Sequence, residues 1–173
     1  MSLISRTHEA DGRISTAVYS DCERYRYALT RTWDEGGKRL LFVMLNPSKA
    51  TELANDPTIE RCERRSILLG YGSFRVCNLF GLRETDPARL KRARRPEGSE
   101  NVDHIKEALE WCNDVLCSWG VHGAHRDQAA KLRSLFSQSK KPLLALGTTK
   151  EGHPRHPLYV SYKTQPTSFE ISS

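Results

Sequence analysis

Leu40-Leu41-Phe42-Val43-Met44-Leu45 is an apolar run with no polar alternation, and it stops abruptly at Asn46-Pro47-Ser48. A strand with one face in water alternates apolar and polar residues. A strand buried on both faces does not, and such strands belong to sheets covered by helices on both sides. The run therefore predicts a core strand of an α/β fold. The residues after it have the matching rhythm. Asp56-Pro57 predicts a helix start, with Asp56 as N-cap and Pro57 in the first turn. Ile59, Cys62, Ser66 and Leu69 then share a face, and Gly70 closes the helix.

Phe74–Phe80 reads as a second strand. Thr85-Asp86-Pro87 opens a short helix through Leu90, and a basic loop, Lys91-Arg92-Ala93-Arg94-Arg95-Pro96, comes next. Val102, Ile105, Leu109 and Cys112 define another amphipathic helix. Asp114–Trp119 reads as a third buried strand, Ala129, Leu132, Leu135 and Phe136 as a further helix face, and Pro142–Leu146 as a fourth strand. Strand alternating with helix is the pattern of a parallel sheet with helical crossovers. On the N-terminal side, Arg24–Trp33 alternates. Tyr25, Tyr27, Leu29 and Trp33 point one way, Arg24, Arg26 and Thr30 the other, and Ile14–Tyr19 is placed to pair with it. The expectation is a single α/β domain over residues 1–173. It is a three-layer sandwich with a four-stranded parallel core sheet, Leu40–Leu45 and Asp114–Trp119 central, extended by N-terminal antiparallel strands.

Of 173 residues, 38% are hydrophobic and 28% charged, which is ordinary for a globular chain and excludes a disordered one. No apolar run approaches a membrane span. Met1–Asp11 lacks the apolar core of a signal peptide, so the expected location is the cytoplasm. The net charge of +6 favours a polyanionic partner, nucleic acid first. The five cysteines, Cys22, Cys62, Cys77, Cys112 and Cys117, form no Cys-x-x-Cys pair. They read as reduced thiols, mostly buried. Asp56, His104, His122, His125 and His156 form no recognisable metal-ligand motif, so neither metal nor cofactor is expected. The expected oligomeric state is a monomer.

In open α/β sheets ligands bind beyond the carboxyl ends of the strands. Those ends hold the unusual residues: Met44-Leu45-Asn46-Pro47-Ser48, Asn78-Leu79-Phe80-Gly81-Leu82-Arg83, Trp119-Gly120-Val121-His122-Gly123 and His153-Pro154-Arg155-His156-Pro157-Leu158-Tyr159. Over Leu40–Val160 and in this order, the set resembles the uracil-DNA glycosylase superfamily. Its mismatch-specific branch carries Gly-Ile-Asn-Pro-Gly where Met44–Ser48 stand. Other branches carry a base-reading Asn similar to Asn78, a Leu-Trp-Gly similar to Ser118-Trp119-Gly120, and a His-Pro-Ser-Pro-Leu-Ser similar to His153–Tyr159. A second resemblance spans nearly the whole chain. Asn46-Pro47-Ser48, Asp56-Pro57-Thr58-Ile59, Asn78-Leu79-Phe80, Thr85-Asp86-Pro87 and Pro154-Arg155-His156-Pro157-Leu158-Tyr159 resemble the bacterial and phage family called domain of unknown function 1643, which brings no activity with it.

The glycosylase resemblance implies a uracil-DNA glycosylase-like fold, base flipping, and hydrolysis of an N-glycosidic bond in DNA, single-stranded or modified DNA included. It implies that Asn46 orients the attacking water. His156, or alternatively His153, donates a hydrogen bond to the departing base. Asn78 pairs with a base edge, Pro47, Ser48 and Phe80 surround the base, and Leu158 or Tyr159 fills the gap it leaves. Lys49, Arg83, Lys91, Arg92, Arg94, Arg95, Arg126, Lys150 and Arg155 supply phosphate contacts. One departure stands out: family-one glycosylases place an Asp where Asn46 stands. The nearest carboxylates are Asp56 and Glu52, and Asp56 has a competing role as helix cap. Two alternatives stay open: a nucleic-acid-binding module without catalysis, and a hydrolase of free nucleosides or nucleotides.

Overall fold

In the computed structural model, which describes residues 2–172, the apolar run becomes one strand of an eight-stranded sheet. The elements are β1 (Leu3–Ala10), β2 (Arg13–Ser20), β3 (Arg26–Thr32), β4 (Arg39–Met44), α1 (Pro57–Leu68), β5 (Ser73–Asn78), α2 (Pro87–Arg92), α3 (Asn101–Trp111), β6 (Asp114–Cys117), α4 (Gln128–Ser139), β7 (Leu143–Ala145) and β8 (Thr167–Ser168). Tight 3-10 turns cover Val121–Asp127 and Pro157–Tyr159. The strand order is β1-β2-β3-β5-β4-β6-β7-β8.

β4 is buried on both faces because helices lie on both sides. Leu40, Phe42 and Met44 pack with Phe74, Val76 and Leu116 against Ile59 and Cys62 of α1. Leu41 and Val43 pack with Cys77, Val115 and Cys117 against Leu90 of α2, Ile105, Ala108 and Leu109 of α3, and Leu132 and Phe136 of α4. Successive residues of a strand point to opposite faces, so two apolar layers require an unbroken apolar strand. Cys62, Cys77, Cys112 and Cys117 are buried free thiols, and Cys22 is exposed.

The expected four-stranded parallel core sheet is corrected to one mixed sheet. β5, β4, β6 and β7 pair in parallel. Antiparallel pairings continue it on both sides, through β3, β2 and β1 at one edge and β8 at the other. β1 is exposed over most of its length and β8 is two residues long. Neither carries a hydrophobic period, so neither was legible.

The alternation expected across Arg24–Trp33 fails at one point. Val18 pairs with Ala28, but Tyr19 pairs with Arg26, so Tyr27 is an extra residue in β3. Such a bulge reverses the facing of everything beyond it. Tyr27 therefore stacks on His104 of α3, while Leu29 joins the α1 face. Arg26 and Arg31 also reach toward the α1 face, where their guanidinium groups bond carbonyls of the segment between β4 and α1. Both arginines are buried, at 2% and 0% exposure. Among the described residues no helix is long and apolar enough to cross a membrane.

Candidate functional site

A cavity of about 410 Å³ opens at the carboxyl ends of β4 and β6. Its walls come from five segments: Leu45–Ser48 after β4, Asp56–Ile59 at the start of α1, Glu84–Pro87 at the start of α2, Trp119–His122 after β6, and His156–Tyr159. Arg26 and Met44 form the floor. A volume of this size suits a small-molecule moiety such as a nucleobase, since ligand pockets run from about 300 to 1,000 Å³.

The walls are fixed by backbone hydrogen bonds across the sheet end. Leu79 and Phe80 N–H donate to Met44 and Leu45 carbonyls, and Glu84 N–H donates to Pro47. Gly120 N–H donates to Pro154, which ties the β6 end to the histidine loop. That loop is a small hairpin, bridged at Thr148 and Pro154. Gly120 has a φ of +70°, favourable for glycine alone, and a Cβ there would lie 4.0 Å from the His156 Cβ.

Asn46 lines the cavity half-buried, and its Nδ2 is fully engaged. It donates to the carbonyls of Leu82 at 3.0 Å and Glu84 at 2.7 Å. The Oδ1 makes no hydrogen bond within the described chain, which leaves it as an acceptor. His156 lines the same cavity. Its Nδ1 accepts from Leu158 N–H at 3.3 Å and caps the 3-10 turn. Burial holds the imidazole below its usual pKa, against a weaker upward pull from Asp56. The ring is therefore neutral near pH 7. With Nδ1 accepting, the proton sits on Nε2, which becomes the donor.

Asp56 lines the cavity as well, but its oxygens are occupied. One accepts from Ile59 N–H at 2.9 Å, the other from Lys49 and Ala50 N–H. Glu52 is buried and accepts from the Tyr19 hydroxyl at 3.0 Å. Both carboxylates serve the architecture. Glu84, which sequence reasoning passed over, lines the cavity and accepts from Thr85 and Asp86 N–H through one oxygen.

Pro47, Ser48, Leu158 and Tyr159 line the cavity, with Tyr159 at 88% exposure on its rim. Other residues of the expected site lie elsewhere. His153 lines a separate cavity of about 170 Å³, because the hairpin turns it away. Phe80 is fully buried on the α3–α4 face, tilted against His125. Asn78 does not line the cavity; it is 1% exposed, with neither amide atom bonded.

The basic residues divide in the same way. Lys91 and Arg92 on α2, Arg94 and Arg95 after it, and Lys49, Lys150 and Arg155 are exposed. Lys91 is close enough to help lower the pKa of His122, a cavity residue, although burial is the larger cause. Lys91 therefore lies on the side of the cavity that His122 lines. Arg83 instead donates to the Glu23 carbonyl and sits over the Tyr19 ring. Arg126 donates to the Ala93 and Arg94 carbonyls and pairs with Glu97, so it shapes the basic loop.

Arg26, Thr58, Trp119, Val121 and His122 are cavity residues that sequence reasoning did not assign to the site. Trp119, Val121 and His122 belonged to one motif at a strand end and Thr58 to another, without a role of their own. Arg26 could not be found from alternation, because the bulge redirects it.

Comparison with known families gives one finding: the family described as Protein of unknown function (DUF1643) matches residues 26–158, more than half of the chain. No curated protein and no solved structure matches it.

Proposed function

The chain belongs to the DUF1643 family, and we propose that this member is a DNA glycosylase-like hydrolase of a damaged, mismatched or modified base, with a uracil-DNA glycosylase-like fold and a cytoplasmic location. One observation carries the reading: the free Oδ1 of Asn46 and the neutral imidazole of His156 belong to a single nucleobase-sized cavity. An acceptor positions the attacking water, and a neutral N–H donor stabilises negative charge on the leaving base. Tyr159 and Leu158 on the rim suit the gap left by a flipped nucleotide. The exposed Lys91, Arg92, Arg94 and Arg95 suit the flanking phosphates.

Asn46 is a weak water activator, because an amide cannot take a proton. The reaction therefore suits a base that already leaves readily. The second reading, a nucleic-acid-binding module without catalysis, is favoured by the engagement of Asp56 and Glu52 in hydrogen bonds.

Incubation with native, deaminated, mismatched and phage-modified DNAs, followed by mass spectrometry of released bases, tests the proposal. Free base and a matching abasic site are expected from at least one substrate. Binding to DNA with no base released from any of them would replace the proposal with the binding module. Release from free nucleosides alone would replace it with a nucleoside hydrolase.

A further inference from the structure

Arg26 is 2% exposed, yet it forms part of the cavity floor. The only hydrogen bond of its guanidinium within the described chain runs from Nη1 to the Ala50 carbonyl at 2.7 Å, and its Nε has no partner. Among the described residues no carboxylate forms an ion pair with it; Asp56 acts on it only through space, its oxygens accepting from backbone N–H groups. Burial lowers its pKa to about 10, so it remains a cation at neutral pH. A buried, nearly unpaired guanidinium is costly, and such charges are found inside proteins when something completes them. The other buried arginines are better satisfied. Arg31 bonds Asn55, Thr51 and Ala54, and Arg65 bonds Val160, Ser161 and Thr164.

The polar groups near Arg26 share its condition. Met44 pairs with Asn78 on one side and follows Val43, the partner of Cys117, on the other. Asn78 and Ser118 therefore flank Met44 at the sheet end. They lie two residues beyond Val76 and Leu116, which pack on the α1 face. The Asn78 amide and the Ser118 hydroxyl are buried without partners. Asn78 and Ser118, on either side of the cavity residue Met44, thus also carry unmet hydrogen-bonding capacity.

We infer that the cavity floor receives an oxyanion, a carboxylate or a phosphate, carried on a nucleobase-sized ligand and held by the Arg26 guanidinium. The planar fork of an arginine matches both groups. The inference shares its cavity with the proposed hydrolysis but not its chemistry: binding without base release would leave it standing. The ligand's other end lies under Trp119 and toward Tyr159 at the rim.

The test uses the full chain and four probes: uracil, orotate, deoxyuridine monophosphate and inorganic phosphate. Binding is followed by calorimetry and by intrinsic tryptophan fluorescence, to which Trp119 of the cavity contributes. Orotate or deoxyuridine monophosphate is expected to bind saturably and more tightly than uracil. Orotate alone assigns a carboxylate-bearing base, the monophosphate alone a nucleotide phosphate, and inorganic phosphate should compete in the second case. Arg26→Gln, checked for folding by circular dichroism, should weaken the bound probe roughly ten- to hundredfold. If that variant does not fold, the ranking on the unaltered chain decides. No binding by any anionic probe, uracil binding as tightly as orotate and the monophosphate, or a folded Arg26→Gln with unchanged affinity would each overturn the inference.

Discussion

The Nδ2 of Asn46 donates a hydrogen bond of 2.7 Å to the backbone carbonyl of Glu84, and so ties the end of β4 to the segment that opens α2. This bond fixes which end of the amide faces the cavity. It also decides what an acid at this position would do. Asn46→Asp places a carboxylate against the carbonyls of Leu82 and Glu84, which it can only repel. We expect it to lose base release as fully as Asn46→Ala, on the order of a hundred- to thousandfold. It should also cost about 1–3 kcal/mol of stability. Steady-state kinetics and chemical denaturation of both variants check this. An Asn46→Asp protein with undiminished stability and higher turnover would mean that the amide does not hold the loop.

His156 gives the chain a dependence on pH with a definite sign. The unfolded imidazole takes up a proton near pH 6.5. In the fold burial lowers that value, so between the two the unfolded chain binds more protons. The contribution is present above about pH 6.5 and is lost as pH falls toward the folded value. His122 and His125 are lowered by burial in the same direction. Urea midpoints should fall on acidification, and His156→Gln should reduce that fall. Base release should lose activity on the same acid limb. An equal slope in the variant would place the effect on the other two histidines.

The basic loop should announce itself through salt. Replacing Lys91, Arg92, Arg94 and Arg95 with Ala should weaken duplex binding. The slope of log affinity against log salt should flatten by up to ~0.9 for each phosphate no longer neutralised. Arg126→Ala should act differently, since this side chain holds the Ala93 and Arg94 carbonyls. It should lower affinity with little change in slope. An unaltered slope in the fourfold variant would assign those residues to solvent.

Gly123 is constrained by space rather than by backbone angle. A Cβ there would come within 2.1 Å of the Trp119 ring. Gly123→Ala therefore forces the indole away from the wall it shares with Val121 and His122. A destabilisation of about 1–3 kcal/mol and a shift in the tryptophan fluorescence are expected. A variant with the stability and spectrum of the original chain would show that the turn accommodates the methyl.

Where the physics is local, the sequence was sufficient. An unbroken apolar run from Leu40 to Leu45 has one economical home, a strand between two helical layers. Asp56-Pro57 could only begin a helix, since carboxylate and ring both complement unpaired N–H groups. The loops carrying Asn46 and His156 were marked by strands ending at polar, proline-rich segments. Where pairing between distant segments decides, the sequence was silent. The bulge at Tyr27 arises only when β3 meets β2, and it turns Arg26 into the cavity floor. The hairpin after β7 separates His153 from His156 by bonds to Thr149 and Gly120, neither of which their shared motif reveals. Phe80 and Asn78 go to different environments because β5 ends at Asn78, and Phe80 lies beyond the strand, where alternation no longer sets its facing. The sequence set which segments are buried and where they stop; the tertiary structure chose which side chains share a cavity, because strand pairing fixes facing and facing is invisible until the partner strand is known.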